Sequence, residues 1–215
     1  MTIRFDAARL SVGTDTFEVS LSQNGQRMRV GLQVNELKKD GARFVLTQKV
    51  AAVAFGLEGT LSVWFGPGLE PLERVDHGSM QGAAFSGAVS VKNGRVTGTI
   101  QSPAATITTA QVDAVAAADL MLEEGVLFAL LPTVDLVEGQ KGTFSVIDDQ
   151  SGKVIPYVIS VEGKESIEVP AGRFDVFRVR AQAKEATMIY VSATAPHRVV
   201  RINPGTSPIE MRLVK

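Results

Sequence analysis

The chain contains no cysteine and only two histidines, His77 and His197. The first absence excludes disulfides, thiolate metal sites and cysteine nucleophiles. It leaves the compartment open, because many exported proteins also lack cysteine. Charge of one sign is scarce as well: 22 Lys and Arg stand against 23 Asp and Glu, with no long run of either. A nucleic-acid groove needs a concentrated positive field, and none is expected here. Aromatic residues make up 6% of the chain, with no paired girdles of the kind an outer-membrane barrel carries. No apolar run approaches the roughly 20 residues that span a bilayer as a helix, so no transmembrane segment is expected. Met1–Asp6 alternates at once and lacks a basic stretch followed by an apolar one, which predicts no signal peptide.

Catalytic and cofactor motifs are missing too. No His-Glu-x-x-His spacing accompanies His77 and His197, and a zinc site would need Glu73, Asp76, His77 and the distant His197 to converge. Asp76, His77 and Ser79 are too close in sequence to form a nucleophile–base–orienter chain, and no Gly-x-Ser-x-Gly elbow is present. Asp76-His77 therefore reads as a polar loop pair. Carboxylates at Asp119, Glu123 and Glu124, and at Asp148-Asp149, read as solvated helix ends and turns rather than as an acid–base pair. The glycines around Gly56-Leu57-Glu58-Gly59 and Gly66-Pro67-Gly68 match neither dinucleotide nor Walker patterns. No metal, cofactor or catalytic residue is expected, and an enzyme is the weakest of the functional readings.

What the chain does have is alternation of apolar and polar residues with a period of two, the mark of half-buried strands. At 215 residues it is long enough to form one all-β domain spanning residues 1–215. Asn24-Gly25 suits a two-residue hairpin turn that sets Leu21 opposite Met28, Val19 opposite Val30 and Phe17 opposite Leu32. A slip of one residue would drive Glu18, Ser20, Arg27 and Arg29 into the core. Asn93-Gly94 repeats the device, pairing Val91 with Val96, Val89 with Gly98 and Ser90 with Thr97. Further strands are expected at Ile3–Leu10, Arg43–Ala52, Thr60–Phe65, Thr143–Ile147, Lys153–Val161 and Ile167–Val169. They continue at Phe174–Ala181, Thr187–Val191, Arg198–Ile202 and Ile209–Val214. Between Phe174 and Val179 the apolar phase changes, which marks a bulge or a strand covered on both sides. Pro67-Gly68, Ser151-Gly152, Glu162-Gly163 and Asn203-Pro204-Gly205 read as turns.

One segment departs from this pattern. Asp113 is a plausible N-cap, Ala114 to Glu124 are good helix formers, and Gly125 ends or kinks the run ahead of Pro132. The apolar residues of Asp113–Leu131 nearly surround it, so a helix there must be buried or lie across an apolar sheet face. The expected fold is mainly β: a large curved antiparallel sheet or half-barrel with an internal or covering helix.

From Val112 onward the chain resembles the DUF3108-like group of uncharacterised, usually exported bacterial proteins. Gly142-Thr143-Phe144-Ser145-Val146 and the run from Glu165 through Val-Pro-Ala-Gly-Arg-Phe (169–174) to Val179 carry the resemblance. Tyr190-Val191-Ser192, Pro196-His197-Arg198 and Met211-Arg212-Leu213 extend it. The resemblance implies a lipoprotein-carrier-like half-barrel, a periplasmic or envelope location after removal of a leader, and handling of lipid or lipopeptide. The functional expectation is a noncatalytic domain that binds or carries an apolar ligand, lined by Phe17, Val19, Met28, Val30, Phe85, Val89, Leu120, Leu127 and Leu130. The alternative is a structural or protein-interaction module in which the same residues form a fully packed core. Either is compatible with a homo-oligomer.

Overall fold

A computed structural model describes residues 2–23, 26–102, 107–204 and 207–215. The expected Asn24-Gly25 turn and Gly205 lie outside them. Strands β1 (Gly13–Gln23), β2 (Gln26–Asp40), β3 (Arg43–Ala52), β4 (Leu57–Phe65), β5 (Pro71–Met80), β6 (Ala83–Lys92), β7 (Arg95–Ser102) and β8 (Thr108–Val115) form an antiparallel meander. A two-residue strand β9 (Leu120–Met121) and a short helical passage follow. Then come β10 (Lys141–Ile147), β11 (Val154–Val169), β12 (Gly172–Gln182), β13 (Ala186–Ser192), β14 (Val199–Pro204) and β15 (Ile209–Leu213). All fifteen belong to one sheet, joined in its middle where β1 pairs with β15. The result is a large curved sheet, mainly antiparallel, that does not close into a barrel.

The chain itself brings the two ends of the sheet near each other. β8 is one edge and β9 the other, yet they are separated only by residues 116–119. Five residue steps span at most about 18 Å, so the sheet has to curl. Bulges help it bend. Register shifts fall between Val19 and Ser20 on β1, between Val161 and Gly163 on β11, and between Tyr190 and Val191 on β13.

The first of these shifts corrects the register expected for the first hairpin. Leu21 does face Met28, but Val30 is an extra residue, so Val19 faces Gly31 and Phe17 faces Gln33. The second hairpin has the expected register, with Val91 opposite Val96 and Val89 opposite Gly98. Asn93 and Gly94 both take positive φ, as the turn requires. Glu162-Gly163 is the β11 bulge rather than a turn, so the two strands expected there are one. The phase change in β12 is a strand covered on both sides: adjacent Val176 and Phe177 are both buried.

Two further expectations are overturned. Ile3–Leu10 is not a strand. Asp6 caps a single 3-10 turn at Ala7–Arg9 by accepting the Ala8 N–H, while Phe5 stacks on Phe144 at 4.9 Å. The helix expected over Asp113–Leu131 is confined to residues 124–133, as a 3-10 turn, a four-residue α-helix α1 (Leu127–Leu130) and a second 3-10 turn. Asp113 lies instead in β8, where Ala110 and Val112 face inward and pair with Ile100 and Gly98. The short helical passage lies inside the curve of the sheet, with Val126, Leu127, Leu130 and Leu131 buried in the main apolar cluster. Among the described residues no helix is long and apolar enough to cross a membrane.

Candidate functional site

Register identifies the side chains that line the concave face. From β1 through β15, β14, β13 and β12 they are aliphatic: Val19 opposite Met211, Met211 opposite Ile202, Ile202 opposite Ile189, and Ile189 opposite Val179. Toward β6 the same face turns polar. Asp15 lies opposite Asn35, Asn35 opposite Gln48, Gln48 opposite Leu61, Leu61 opposite Asp76, and Asp76 opposite Gly87. Polar groups on β1, β2, β3 and β5 thus form a row on the inside of the sheet, interrupted at β4 by Leu61. Burying it costs free energy unless each group finds a partner.

Arg74, one inward position from Asp76 on β5, is the centre of that row's charge. Its Nη1 and Nη2 donate to the two carboxylate oxygens of Asp149 at 2.6 and 2.8 Å, a bidentate pair. Nη1 also donates to the Leu122 carbonyl at 3.1 Å. The contacts fasten β5 to the β10–β11 turn and to the residues entering the helical passage. Burial works against the guanidinium charge, but Asp149 outweighs it and holds the group more firmly protonated than usual. Nε lies 3.4 Å from Asp76 Oδ1. Neither atom has a hydrogen-bond partner among the described residues. Burial raises the Asp76 carboxyl above the usual carboxylate range, and Arg74 only partly opposes the shift. The missing side chain of Gly87 makes room for this carboxylate, since a Cβ there would stand 2.5 Å from Oδ1.

Glu123 and Glu124 complete the polar end. Glu123 accepts the Gly125 N–H, and burial pushes its carboxyl up to about 7. Glu124 accepts the Tyr157 hydroxyl at 3.2 Å, and burial raises both groups above their ordinary values. The row is tied to this segment by Gln48, whose Nε2 donates to the Gly125 carbonyl at 3.5 Å.

Between the polar end and the strands lies an open cleft of about 200 Å³. Val50, Leu57, Leu61 and Phe85 form its apolar wall, and Arg74, Asp76, Glu123 and Asp149 its polar end. The Phe85 ring lies over Gly59 and Gly78, where added Cβ atoms would meet it at 3.0 and 2.6 Å. A second cleft of about 230 Å³ shares Gln33, Gln48 and Glu123 and continues past Phe128 and Tyr157 to Ile189 and Met211.

The residues expected to line a ligand space fall in several surroundings. Phe85 borders the first cleft. Phe17, Val89, Leu120, Leu127 and Leu130 pack together in the main core. Val19 and Val30 are buried, and Met28 is 56% exposed. The two histidines do not meet: His77 is exposed opposite Thr60 on β4, and His197 sits in the β13–β14 connection with Nδ1 2.8 Å from the Ser192 carbonyl. Asp76 is buried and its neighbour His77 exposed, as successive strand residues must be, so the pair is neither a loop nor a unit. Among the described residues no three His, Asp or Glu side chains are grouped to hold a metal. Arg74, Gln33, Asn35 and Gln48 were not singled out by the sequence reading, and Glu123 and Asp149 are not merely solvated ends.

A family model described as a protein of unknown function, DUF3108, matches residues 7–213. The chain belongs to the DUF3108 family. No curated protein matches it. Among solved structures, a β-barrel-like DUF1849 protein from Brucella abortus is similar at 12% identity, covering 96% of this chain and 97% of that one with a TM-score of 0.53. A candidate lipoprotein from Parabacteroides distasonis aligns at 11% identity over 96% of this chain and 97% of its own, with a TM-score of 0.29. The likeness to the DUF1849 protein extends to the fold alone. No catalytic signature accompanies the DUF3108 assignment.

Proposed function

We propose that this DUF3108 protein is a noncatalytic binding or carrier domain for a ligand with an apolar body, such as a lipid or lipopeptide. The body lies along Val50, Leu57, Leu61 and Phe85, and its polar end meets Arg74, Asp76 and Glu123. The carrying observation is the cleft: an apolar wall that ends in a few fixed, buried polar groups is the usual make-up of a ligand site. At about 200 Å³ the cleft alone is small for such a ligand, and the adjoining space of about 230 Å³ provides room for a longer one. The family resemblance supports residence in the periplasm or cell envelope.

The test is native mass spectrometry and solvent extraction after purification without detergent. Wild-type protein should retain an apolar molecule, and Leu61→Trp, which fills the cleft from its wall, should retain at least tenfold less. Wild-type protein that emerges empty, and takes up no N-phenylnaphthylamine, would favour the second reading. That reading is a structural or interaction module, and the tight packing of Phe17, Val89, Leu120, Leu127 and Leu130 in the core supports it.

A further inference from the structure

A separate cavity of about 240 Å³ lies at the other end of the polar row, between the start of β1, the β13–β14 connection and α1. Leu37, Leu46, Phe128 and Pro132 give it apolar walls, while Asn35, His197 and Arg198 border it with polar groups. Each polar group is held in one orientation by a partner that leaves another of its atoms free. Asn35 Oδ1 accepts from Gln33 Nε2 at 2.9 Å and from Gln48 Nε2 at 3.4 Å. Gln48 is in turn oriented by the Gly125 carbonyl. Exchanging the Asn35 oxygen and nitrogen would set donor against donor, so the amide has one satisfactory orientation. Its Nδ2 is then left without a partner among the described residues, on a side chain that is only 5% exposed. An orphaned buried donor of this kind is destabilising unless something accepts from it.

The other two groups follow the same logic. Arg198 commits Nε and Nη2 to Asp15 Oδ1, and its Nη1 makes no hydrogen bond among the described residues. The Ser192 carbonyl can only accept, so His197 Nδ1 donates to it and fixes the ring beside the cavity, while Nε2 makes no hydrogen bond among the described residues. Two N–H donors beside an apolar wall complement a carboxylate, and Arg198 neutralises Asp15, the carboxylate that also lines the cavity. The ligand's oxygens accept the N–H groups of Asn35 and Arg198.

We propose that this cavity binds a small carboxylic acid with an apolar body, whether an acyl chain or the C-terminal residue of an apolar peptide. The cavity shares no lining residue with the cleft beside Arg74, although Gln33 and Gln48 of that cleft orient Asn35 and Phe128 also borders the second cleft, so the two sites are tested with separate probes. His197 and His77 are the only histidines, which makes histidine-selective NMR a local reporter. In the full chain, octanoate should move the His197 ring signals saturably and leave those of His77 in place, the two being assigned with His77→Gln. Octanol has a tail without a carboxyl and should bind at least tenfold more weakly at this site. Asn35→Leu should weaken octanoate by a similar factor. Acetyl-leucine separates the two sources: tighter binding than octanoate assigns the site to a peptide end, weaker binding to an acyl chain, and both keep the carboxyl requirement. A His197 signal that stays still at millimolar octanoate, or octanol binding as tightly as octanoate, overturns the proposal. Should Asn35→Leu not fold, the octanoate-to-octanol ratio on the wild type decides.

Discussion

The two halves of the sheet solve the same burial problem in opposite ways. On the β10–β15 side the inner face is mostly aliphatic, Tyr157 with its bond to Glu124 apart, and packs against α1, so its side chains are stabilised chiefly by dispersion and water exclusion. On the β2–β6 side the inner face carries Gln33, Asn35, Gln48, Arg74 and Asp76, and glycines at 59, 78 and 87 where bulk is withheld. That half is open as the Arg74 cleft, from which the second cleft runs onto Ile189 and Met211 of the other half. A packed wing and a polar, hollowed wing on one continuous sheet amount to a division of labour: one side holds the fold and the other offers a surface.

The contrast is broken most directly at Leu127, which is fully buried between the wings. Leu127→Ala should cost about 2–5 kcal/mol, since the packed side cannot collapse around the gap. Urea unfolding measures it. A loss well below 1 kcal/mol would mean that this core is loosely filled and that the two wings do not differ in packing.

Arg74→Met comes next. It frees Asp149, which has access to water, but it strands Asp76, which does not. The expected loss is about 2–3 kcal/mol, below that for a fully buried pair because Asp149 can resolvate. Asp76→Asn in the same background should recover part of it, because the isolated charge is what costs. Failure of that rescue would show that Arg74 acts through its contact with the Leu122 carbonyl instead.

Glu123 sharpens the comparison through pH. Its folded carboxyl sits at about 7, against an ordinary value of 4.5. The folded state therefore binds the proton more tightly than the unfolded chain does, and this contribution to stability is present in full at low pH and falls as pH rises from about 4.5 to 7. Glu123→Gln removes the titration. The mutant should gain in Tm relative to wild type between pH 5 and about 7.5, with no difference near pH 4. A Tm difference that does not change with pH would place Glu123 in a solvated setting.

Much of the architecture is readable from the alternation. Arg43–Ala52 and the Asn93-Gly94 hairpin need no tertiary information, since period and turn chemistry agree there. The alanine-rich sequence after Asp113 has high helix propensity, while pairing with β7 decides the outcome up to Val115. The stretch Ala110-Gln111-Val112-Asp113 alternates, and that signal should have outweighed propensity. The Val30 bulge has no comparable mark in the sequence. The polar site is harder still. Arg74 and Asp76 share the inner face, but their alternation with Glu73, Val75 and His77 gives no apolar side to choose. The partners that make burial tolerable, Leu122 and Asp149, lie 48 and 75 residues away.

Met28 provides the smallest effect. It stands directly opposite Leu21, in the register the hairpin predicts, and alternation alone assigns it to the apolar side. Yet Met28 is 56% exposed, although β15 runs beside β1 as far as Leu21. Correct register is thus not the same as burial: the face a residue joins is set by pairing, and its exposure by what stands over that face. Met28→Ser should change stability by no more than ~0.5 kcal/mol and leave ligand retention in the Phe85 cleft unaltered. A larger loss in either would mean that something covers this end of the hairpin in solution, such as a second copy of the chain, and sedimentation of the two proteins side by side would then separate a broken contact from a weakened fold.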